Sequence, residues 1–128
     1  MGGRTKRTST RGAVAGRDGG GKSLSPQALG LVAQRFKALS DPARLALVQR
    51  LMAGEKTVGE LCLECGGTQA NTSRQLALLH DEGILARRKD GLHVHYSIAD
   101  ANIEKLCELV CSSLSQRLER LREEFPAG

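Results

Sequence analysis

The stretch TVGELCLECGGTQANTSRQLALLHDEG, residues 57–83, predicts two short helices joined by a tight turn. It opens with a capping-box pattern, because the Thr57 hydroxyl and the Glu60 carboxylate can each satisfy a free backbone N–H at a helix start. A Gly-Gly pair ends this helix, Thr68 supplies the N-cap of the next one, and Gly83 ends that. Two short helices connected in this way are typical of a helix-turn-helix.

Two further helices are predicted upstream of this pair. The first begins at Ser25, which is followed by Pro26, and apolar residues then recur at helical spacing. The second starts after Asp41, a capping residue that is again followed by proline, and it ends at Gly54. The chain therefore has four predicted helices in succession before residue 84.

Downstream, the apolar period changes from helical to alternating. The stretch ILARRKDGLHVHYSI, residues 84–98, predicts a β-hairpin about Asp90-Gly91, a strong turn pair. One face of its second strand is expected to carry Leu92, Val94, Tyr96 and Ile98. Asp100 is then expected to cap a long final helix that ends near Glu124.

The predicted order, α-α-α-α-β-β-α over residues 25–125, is mostly α with a small β-hairpin wing. A hairpin that follows a helix-turn-helix gives a winged helix-turn-helix. A helix fits the major groove, where base edges differ, and a hairpin can lie beside it on the backbone. We therefore expect double-stranded DNA to be the partner.

The net charge of the chain is concentrated at its start. The chain has 128 residues and a formal charge of +5, and residues 1–22 hold six basic groups against Asp18. Acidic and basic groups balance in residues 23–128. We predict that residues 1–24 form a disordered, basic, glycine-rich tail, because such a segment cannot bury enough apolar surface to order itself. The tail would be solvated, or would act as a non-specific arm on phosphates.

The stretch GRDGGGKS, residues 16–23, matches the phosphate-binding pattern G-x-x-x-x-G-K-[ST]. A phosphate loop requires a buried strand before it and a helix that opens at the lysine. Here only residues 13–15 are apolar ahead of the first glycine, and Pro26 follows closely. We therefore predict that the chain binds no nucleotide.

Other function classes are disfavoured by composition. The sequence has no apolar run of about 18 residues and no apolar signal-type stretch at its start, so we expect no membrane partner and a cytoplasmic location. Its four cysteines would stay reduced there. No nucleophile, base and orienting group occur together, so an enzyme is not expected.

The polar first turn of the fourth helix carries the predicted DNA contacts. Gln and Asn can pair with adenine through two hydrogen bonds, Arg can pair with guanine or phosphate, and a helix N-terminus favours phosphate. Leu76, Leu79 and Ile84 are expected to face the core instead. The predicted contacts are Gln69, Asn71, Thr72 and Arg74 on the helix, and Arg87, Arg88 and Lys89 on the wing. Taken alone these would be an ordinary polar face and a solvated charge run; the order of elements favours DNA binding.

The stretches FKALSDPARLALVQRL, GEKTVGELC, TQANTSRQLALLHDEGIL and DGLHVHYSI resemble the ArsR/SmtB family of bacterial metalloregulatory repressors, over roughly residues 30–115. The resemblance implies a homodimer that binds an inverted repeat and represses nearby genes until an inducer weakens binding. It places the family's DNA contacts at Thr68, Gln69, Asn71, Thr72, Ser73 and Arg74. Gln75 stands where the family often has His, and Leu92 where its wing often has Arg.

The inducer sites that the resemblance implies are only partly present. The zinc site on the last helix falls at Asp100, Asn102, Ser113 and Gln116, so three of its four ligands are missing. The third-helix pattern Glu-Leu-Cys-x-Cys keeps Cys62, but its second cysteine is Cys65, one residue later. Neither family site is therefore intact.

Two cysteine pairs remain as candidate metal or inducer ligands, Cys62 with Cys65 and Cys107 with Cys111. A spacing of three or four residues puts each pair on one face of a helix. Soft thiolates suit arsenite, antimonite, Cd, Zn or Cu(I), and no cofactor is otherwise required. Disulfide or persulfide formation by the same thiols is an alternative, and so is simple packing.

The last helix carries an apolar seam. Its members, Cys107, Cys111, Leu114, Leu118, Leu121 and Phe125, recur at alternating spacings of four and three. This pattern predicts that two chains dimerise through their terminal helices, over about residues 100–124, with both cysteines in or beside the contact. A ligand on the thiols would then repack the dimer and change DNA binding. The alternative is an effector-blind DNA-binding or protein-interaction module.

Overall fold

A computed structural model describes residues 23–125, so residues 1–22, which hold most of the predicted tail (residues 1–24) and all but the last residue of the glycine-rich motif at 16–23, lie outside the described residues. A division after Ala33 separates two units. In the first, the Ser25 hydroxyl accepts a hydrogen bond from the Ala28 backbone N–H at 3.1 Å. The elements are α1 (Pro26–Leu39), α2 (Pro42–Leu51), β1 (Lys56–Thr57), α3 (Val58–Cys65), α4 (Gln69–Asp81), β2 (Leu85–Asp90), β3 (His93–Ile98) and α5 (Ala101–Glu124).

The predicted mostly helical fold with a small wing is confirmed, and its helix starts follow the predicted caps. Asp41 caps α2 and Asp100 caps α5, each by accepting a backbone N–H. At α3 both halves of the capping box form between Thr57 and Glu60. The Glu60 pKa lies below its ordinary value, because its carboxylate accepts hydrogen bonds from the backbone and side chain of Thr57. These short-range signals fix where each helix begins.

The wing has one strand more than the sequence predicted. β1 pairs antiparallel with β3, and β3 pairs antiparallel with β2, so the sheet order is β1-β3-β2. Lys56 lies opposite Tyr96 and Thr57 opposite His95. A strand of two residues leaves no alternating pattern, which is why periodicity could not reveal it. Its effect is to tie the wing to the start of α3.

The hairpin turn lies one residue later than predicted. Asp90 pairs with His93, so Gly91 and Leu92 form the connection, with Gly91 at φ +62°. The prediction that Leu92 shares the buried strand face is wrong, because its side chain is 99% exposed at the tip. Burial of Tyr96 fixes the strand register, and the register determines which residues form the hairpin connection.

The core lies where α2, α3, α4 and the wing meet. Leu76, Leu79 and Ile84 are fully buried, as their spacing predicted. Other core members are Leu47, Val48, Leu51, Leu61, Leu85, Tyr96 and Ile103. Aliphatic side chains fill this space almost alone, which suits a chain with one tyrosine and two phenylalanines. Among residues 23–125, no helix combines the length and apolar composition that a membrane span requires.

Arg35, near the end of α1, holds the C-terminal end of α4. Its Nη2 donates to the Glu82 carbonyl at 2.9 Å, and its Nη1 lies 3.6 Å from the Asp100 carboxylate at the start of α5. Gly83 follows with φ +77°, and a Cβ built there would lie 3.0 Å from Arg35 Nη2. The positive φ favours glycine at this position, and an added Cβ would in addition press on the flexible end of Arg35.

Gly83→Ala is expected to lower the free energy of unfolding by about 1–2 kcal/mol, because an L side chain rarely adopts this positive φ. At equal protein concentration the melting temperature should fall by roughly 4–8 °C for each kcal/mol. Gly30→Ala is the matched control, since Gly30 is helical and its added Cβ would meet nothing within 4 Å. It should stabilise the protein by up to about 1 kcal/mol. Equal melting temperatures for the two variants would contradict the conclusion that the backbone conformation at residue 83 favours glycine.

Candidate nucleic-acid interface

The turn between α3 and α4 presents the N-terminus of α4 to solvent. Gly66 and Gly67 adopt φ +81° and +87°, a left-handed backbone conformation that allows a sharp turn over two residues. Thr68 then caps α4 by accepting a hydrogen bond from the Asn71 N–H at 3.1 Å. The remaining free N–H groups of the first turn and the helix dipole favour a negatively charged group here.

Most of the predicted base-reading residues lie together on the exposed side of this turn. Thr68, Gln69, Asn71, Ser73 and Arg74 are all exposed. The guanidinium of Arg74 donates to the Asn71 side-chain oxygen at 3.1 Å, so the two side chains are already oriented together. Such a set can form hydrogen bonds with base edges in the major groove, which is about 12 Å wide, and can also bind a backbone phosphate.

Thr72 does not belong to this set. Its side chain is buried, with 4% of its surface exposed, so the prediction that it is exposed to DNA is wrong. The reason is helical periodicity: Thr72 lies four residues before Leu76, the centre of the buried face, and therefore on the same side of the helix. Both the prediction from the polar first turn and the resemblance included Thr72, and neither separated the two faces of the helix.

The basic wing residues differ in their surroundings. Arg87, Arg88 and Lys89 are exposed on β2, as predicted. Arg88, however, makes two hydrogen bonds with the Glu55 carboxylate, from Nε at 2.9 Å and from Nη2 at 2.7 Å. The hydrogen bond from Arg88 lowers the pKa of Glu55, and the same bond raises the pKa of Arg88. This pair occupies the Nε and Nη2 donors of Arg88 and neutralises part of its charge, so it weakens the attraction of Arg88 for a phosphate.

Glu55→Gln is expected to strengthen binding to duplex DNA about threefold to tenfold at low salt. Loss of the carboxylate frees the Arg88 guanidinium for a phosphate, so the slope of log affinity against log salt should steepen by about one. Glu123→Gln is the matched control, because Glu123 is exposed on α5, so its replacement removes the same charge away from the wing. Identical salt slopes in wild type and Glu55→Gln would show that Arg88 does not reach DNA.

The four candidate cysteines form no disulfide bonds and fall at two separate places. At the end of α3, the Cys62 thiol donates to the Gly67 carbonyl at 3.2 Å, and Cys65 is exposed. On α5, Cys107 is half-buried against the core and Cys111 is exposed. Burial raises the pKa of the Cys107 thiol, and the neighbouring Cys111 adds to the increase. In the described part of the chain, no group of three or more His, Cys, Asp or Glu side chains is placed to hold a metal ion.

Comparison with known proteins defines the family. Residues 41–87 match the family model described as bacterial regulatory protein, arsR family. An uncharacterized HTH-type transcriptional regulator of Mycobacterium tuberculosis is 36% identical over 103 residues, which cover 77% of this chain and 90% of that protein. The chain belongs to the ArsR family. Proteins of this family and fold are DNA-binding transcriptional regulators and are not enzymes, which confirms two predictions made from the sequence.

Two further relatives extend the comparison. A probable mercury resistance operon repressor of Streptomyces lividans is 38% identical over 77 residues, which cover 60% of this chain and 62% of that protein. A homodimeric winged helix-turn-helix DNA-binding domain of Mycobacterium bovis, a possible ArsR-family regulator solved by NMR, superposes with a TM-score of 0.68 at 29% identity. The superposition covers 73% of this chain and 87% of that domain. Thus this ArsR-family chain shares its architecture with a domain that forms a homodimer.

Sequence reasoning missed residues that act across long separations. Glu55, which precedes β1, is hydrogen-bonded to Arg88, 33 residues further along the chain. Arg44 of α2 is hydrogen-bonded to Gln75 of α4. No local periodicity or capping pattern links such partners. The only sequence signal was the motif that contains Arg44, which the resemblance named without a role.

Proposed function

We propose that the protein is a dimeric repressor that binds an inverted-repeat operator and is released by a thiol-reactive inducer. The inducer class is arsenite-like or a soft metal ion, acting on Cys62 and Cys65 or on Cys107 and Cys111. The DNA-binding part rests on the exposed first turn of α4. The inducible part is carried by one contact, the hydrogen bond from the Cys62 thiol to the Gly67 carbonyl.

This contact supports the proposal because of what ligation does to it. A cysteine binds a soft metal or metalloid as the thiolate, so its proton is lost. The Gly67 carbonyl then loses its donor and faces a negative sulfur instead. Gly67 lies one residue before Thr68, the N-cap of α4. A shift in this turn therefore moves the first turn of α4, where the DNA contacts lie.

The α5 seam supports dimerisation. Leu114, Leu118, Leu121 and Phe125 are between 39% and 75% exposed in the single chain, although they form a regular apolar stripe. Such a stripe is stable in water when a second helix covers it. The homodimeric M. bovis domain is consistent with this arrangement. Cys107 and Cys111 lie at the start of the stripe, so a ligand there would alter the distance between the two copies of α4.

The inducer chemistry follows from the number of thiolates available. Each pair offers two sulfurs, and the described residues of one chain bring no third ligand to either pair. An inducer that takes three thiolates would therefore draw the third from the second protomer. Disulfide formation needs two thiols and a two-electron oxidant, and persulfide formation needs a donor that transfers sulfane sulfur to a thiolate, so both stay rivals within the same site.

One observation favours a second candidate, an effector-blind DNA-binding or protein-interaction module. Cys107 packs against the core and its pKa is raised by burial, so it is a weak nucleophile at neutral pH. A cysteine of this kind can serve as a small apolar side chain. In that case its replacement would change stability and leave the response to thiol reagents unaltered.

The experiment separates these candidates. A duplex selected from a random pool by the wild-type protein, here the selected operator, is bound by reduced protein and titrated with arsenite, Hg(II), Cd(II), Zn(II), Cu(I) or a persulfide donor. At least one reagent should weaken wild-type affinity by about tenfold or more, the lower end of typical coupling factors. The variant with serine at all four cysteines should bind DNA normally and not respond.

Pairwise variants identify the site. Cys62→Ser with Cys65→Ser, and Cys107→Ser with Cys111→Ser, are tested with each active reagent. Loss of response in one double variant assigns the inducer to that pair. If every reagent leaves wild-type binding unchanged, or if the response survives in the all-serine variant, the inducible function is refuted and the effector-blind module is supported.

A further inference from the structure

We propose that Arg44 is a positioning residue that sets the rotation of α4 about its own axis by holding Gln75. Arg44 belongs to the stretch Asp41-Pro42-Ala43-Arg44, which no DNA contact or inducer site explains. The inference rests on the proposed operator binding and is independent of any inducer.

The Arg44 guanidinium joins three elements. Its Nε donates to the Ala38 carbonyl at 2.6 Å and its Nη2 to the Lys37 carbonyl at 3.3 Å, both at the end of α1. Its Nη1 donates to the side-chain oxygen of Gln75 on α4 at 2.9 Å. The backbone N–H of Arg44 is itself held by Asp41 at 3.0 Å. The one planar guanidinium therefore donates to three acceptors, and these three bonds fix its orientation.

The position of Gln75 on α4 makes this contact sensitive to rotation. Gln75 is half-buried and lies three residues after buried Thr72 and directly before buried Leu76. It therefore lies at the edge of the buried face, next to the exposed side that carries Arg74. Leu76 and its neighbours keep α4 on the core, but aliphatic contacts are non-directional. The hydrogen bond to Arg44 adds a directional restraint.

A small rotation of α4 would displace its side chains enough to matter for DNA binding. A rotation of about 20° moves a side-chain tip by about 2 Å, since a helix with its side chains is roughly 10–12 Å across. Base-edge hydrogen bonds are lost over smaller displacements than that. Contacts to phosphate by flexible cationic side chains tolerate such a shift. Loss of the restraint should therefore reduce discrimination between sequences more than overall affinity.

The contact also assigns a chemical role to Gln75. Arginine can only donate hydrogen bonds, so the Gln75 oxygen must face Arg44, and its NH₂ group points elsewhere. The bond to Arg44 fixes the direction of the Gln75 amide, so the side chain is not free to turn toward adenine, whose two-bond pair uses both its oxygen and its nitrogen. Gln75 therefore acts through the orientation of α4, whereas Gln69 is exposed in its first turn and Asn71 is paired with Arg74 on the same exposed side.

The test compares two affinities for each variant: the one for the selected operator and the one for a scrambled duplex of the same composition. Their ratio measures discrimination, which a purely structural role would not change in the folded protein. Gln75→Met removes the acceptor and keeps the shape, and it should lower the ratio about tenfold. Gln75→Glu keeps an acceptor for Arg44 and should hold the ratio within about threefold of wild type. Both effects are of the size expected for a contact of this kind.

Arg44→Met should also lower the ratio about tenfold, and the double variant Arg44→Met with Gln75→Met should fall no further. Arg50→Met, which removes one exposed charge from the same helix, controls for electrostatics and should leave the ratio unchanged. If Arg44→Met does not fold, the comparison of Gln75→Met with Gln75→Glu still decides.

Three results would overturn the inference: equal losses in Gln75→Met and Gln75→Glu, a double variant whose loss is the product of the single losses, or a ratio unchanged in both single variants. A wild-type protein that binds both duplexes equally would refute operator reading itself, and this inference with it.

Discussion

Replacing both Leu114 and Leu118 by glutamate is expected to yield a monomer that binds an inverted repeat at least about a hundredfold more weakly. These side chains are 52% and 57% exposed in the single chain and occupy successive seam positions on α5. In a dimer each new carboxylate would be removed from water without a partner, which costs far more than the lost apolar contact. The dimer should therefore dissociate.

The loss of DNA binding follows from loss of the second copy of α4. Two linked reading helices bind an inverted repeat with an effective local concentration that a single helix lacks, an advantage commonly worth 10²- to 10⁴-fold. Sedimentation equilibrium gives the mass of the free protein, and titration of the selected operator gives the affinity. The double variant should sediment as a monomer near 13.7 kDa.

The matched control adds the same two charges away from the seam. Ser113→Glu with Gln116→Glu places them on other faces of α5, where both positions are exposed. This variant should remain a dimer and lose only a few-fold in affinity, by repulsion from DNA. A stable dimer in Leu114→Glu with Leu118→Glu would place the interface elsewhere on the protein.

Arg74→Ala is expected to weaken binding to the selected operator by about 5- to 150-fold, the equivalent of the 1–3 kcal/mol that a two-bond contact to a base contributes. Arg74 is exposed, and its hydrogen bond to Asn71 already orients it in the free protein. Discrimination should be lost at one base pair in each half-site, because only that contact disappears. Binding to the scrambled duplex should fall much less.

The control for Arg74 is Arg120→Ala, which removes the same charge from the exposed surface of α5. It should leave base preference unaltered. Affinities are compared at one fixed salt concentration, and the salt slope is recorded for each variant. If Arg74→Ala weakens the selected and scrambled duplexes equally, Arg74 contacts phosphate and does not read a base.

The sequence was most informative where a structural signal is local. The caps at Asp41, Thr57, Thr68 and Asp100 each involve groups two or three residues apart, so the residue types alone predict them. Burial of Leu76 and Leu79 follows from helical spacing. The same reasoning, applied strictly, would also have placed Thr72 on the buried side, but the prediction groups the polar side chains of the first turn together as exposed.

Features that depend on distant partners could not be predicted. The two-residue strand β1 exists because β3 lies beside it, and Leu92 is exposed because buried strand residues set the register. The pair of Glu55 with Arg88 and that of Arg44 with Gln75 join segments that only the tertiary fold brings together. These partners determine which basic and polar groups are available to DNA.

The central claim is that the first turn of α4 reads DNA in a symmetric dimer, and an NMR titration tests it most directly. Backbone amide shifts are followed while the selected operator is added to reduced, isotope-labelled protein. We predict that the largest shifts fall on residues 68–74 and 86–92. The two protomers should share a single set of signals, and binding should saturate at two protomers per duplex. Shifts confined to other elements, or saturation at one protomer per duplex, would contradict it.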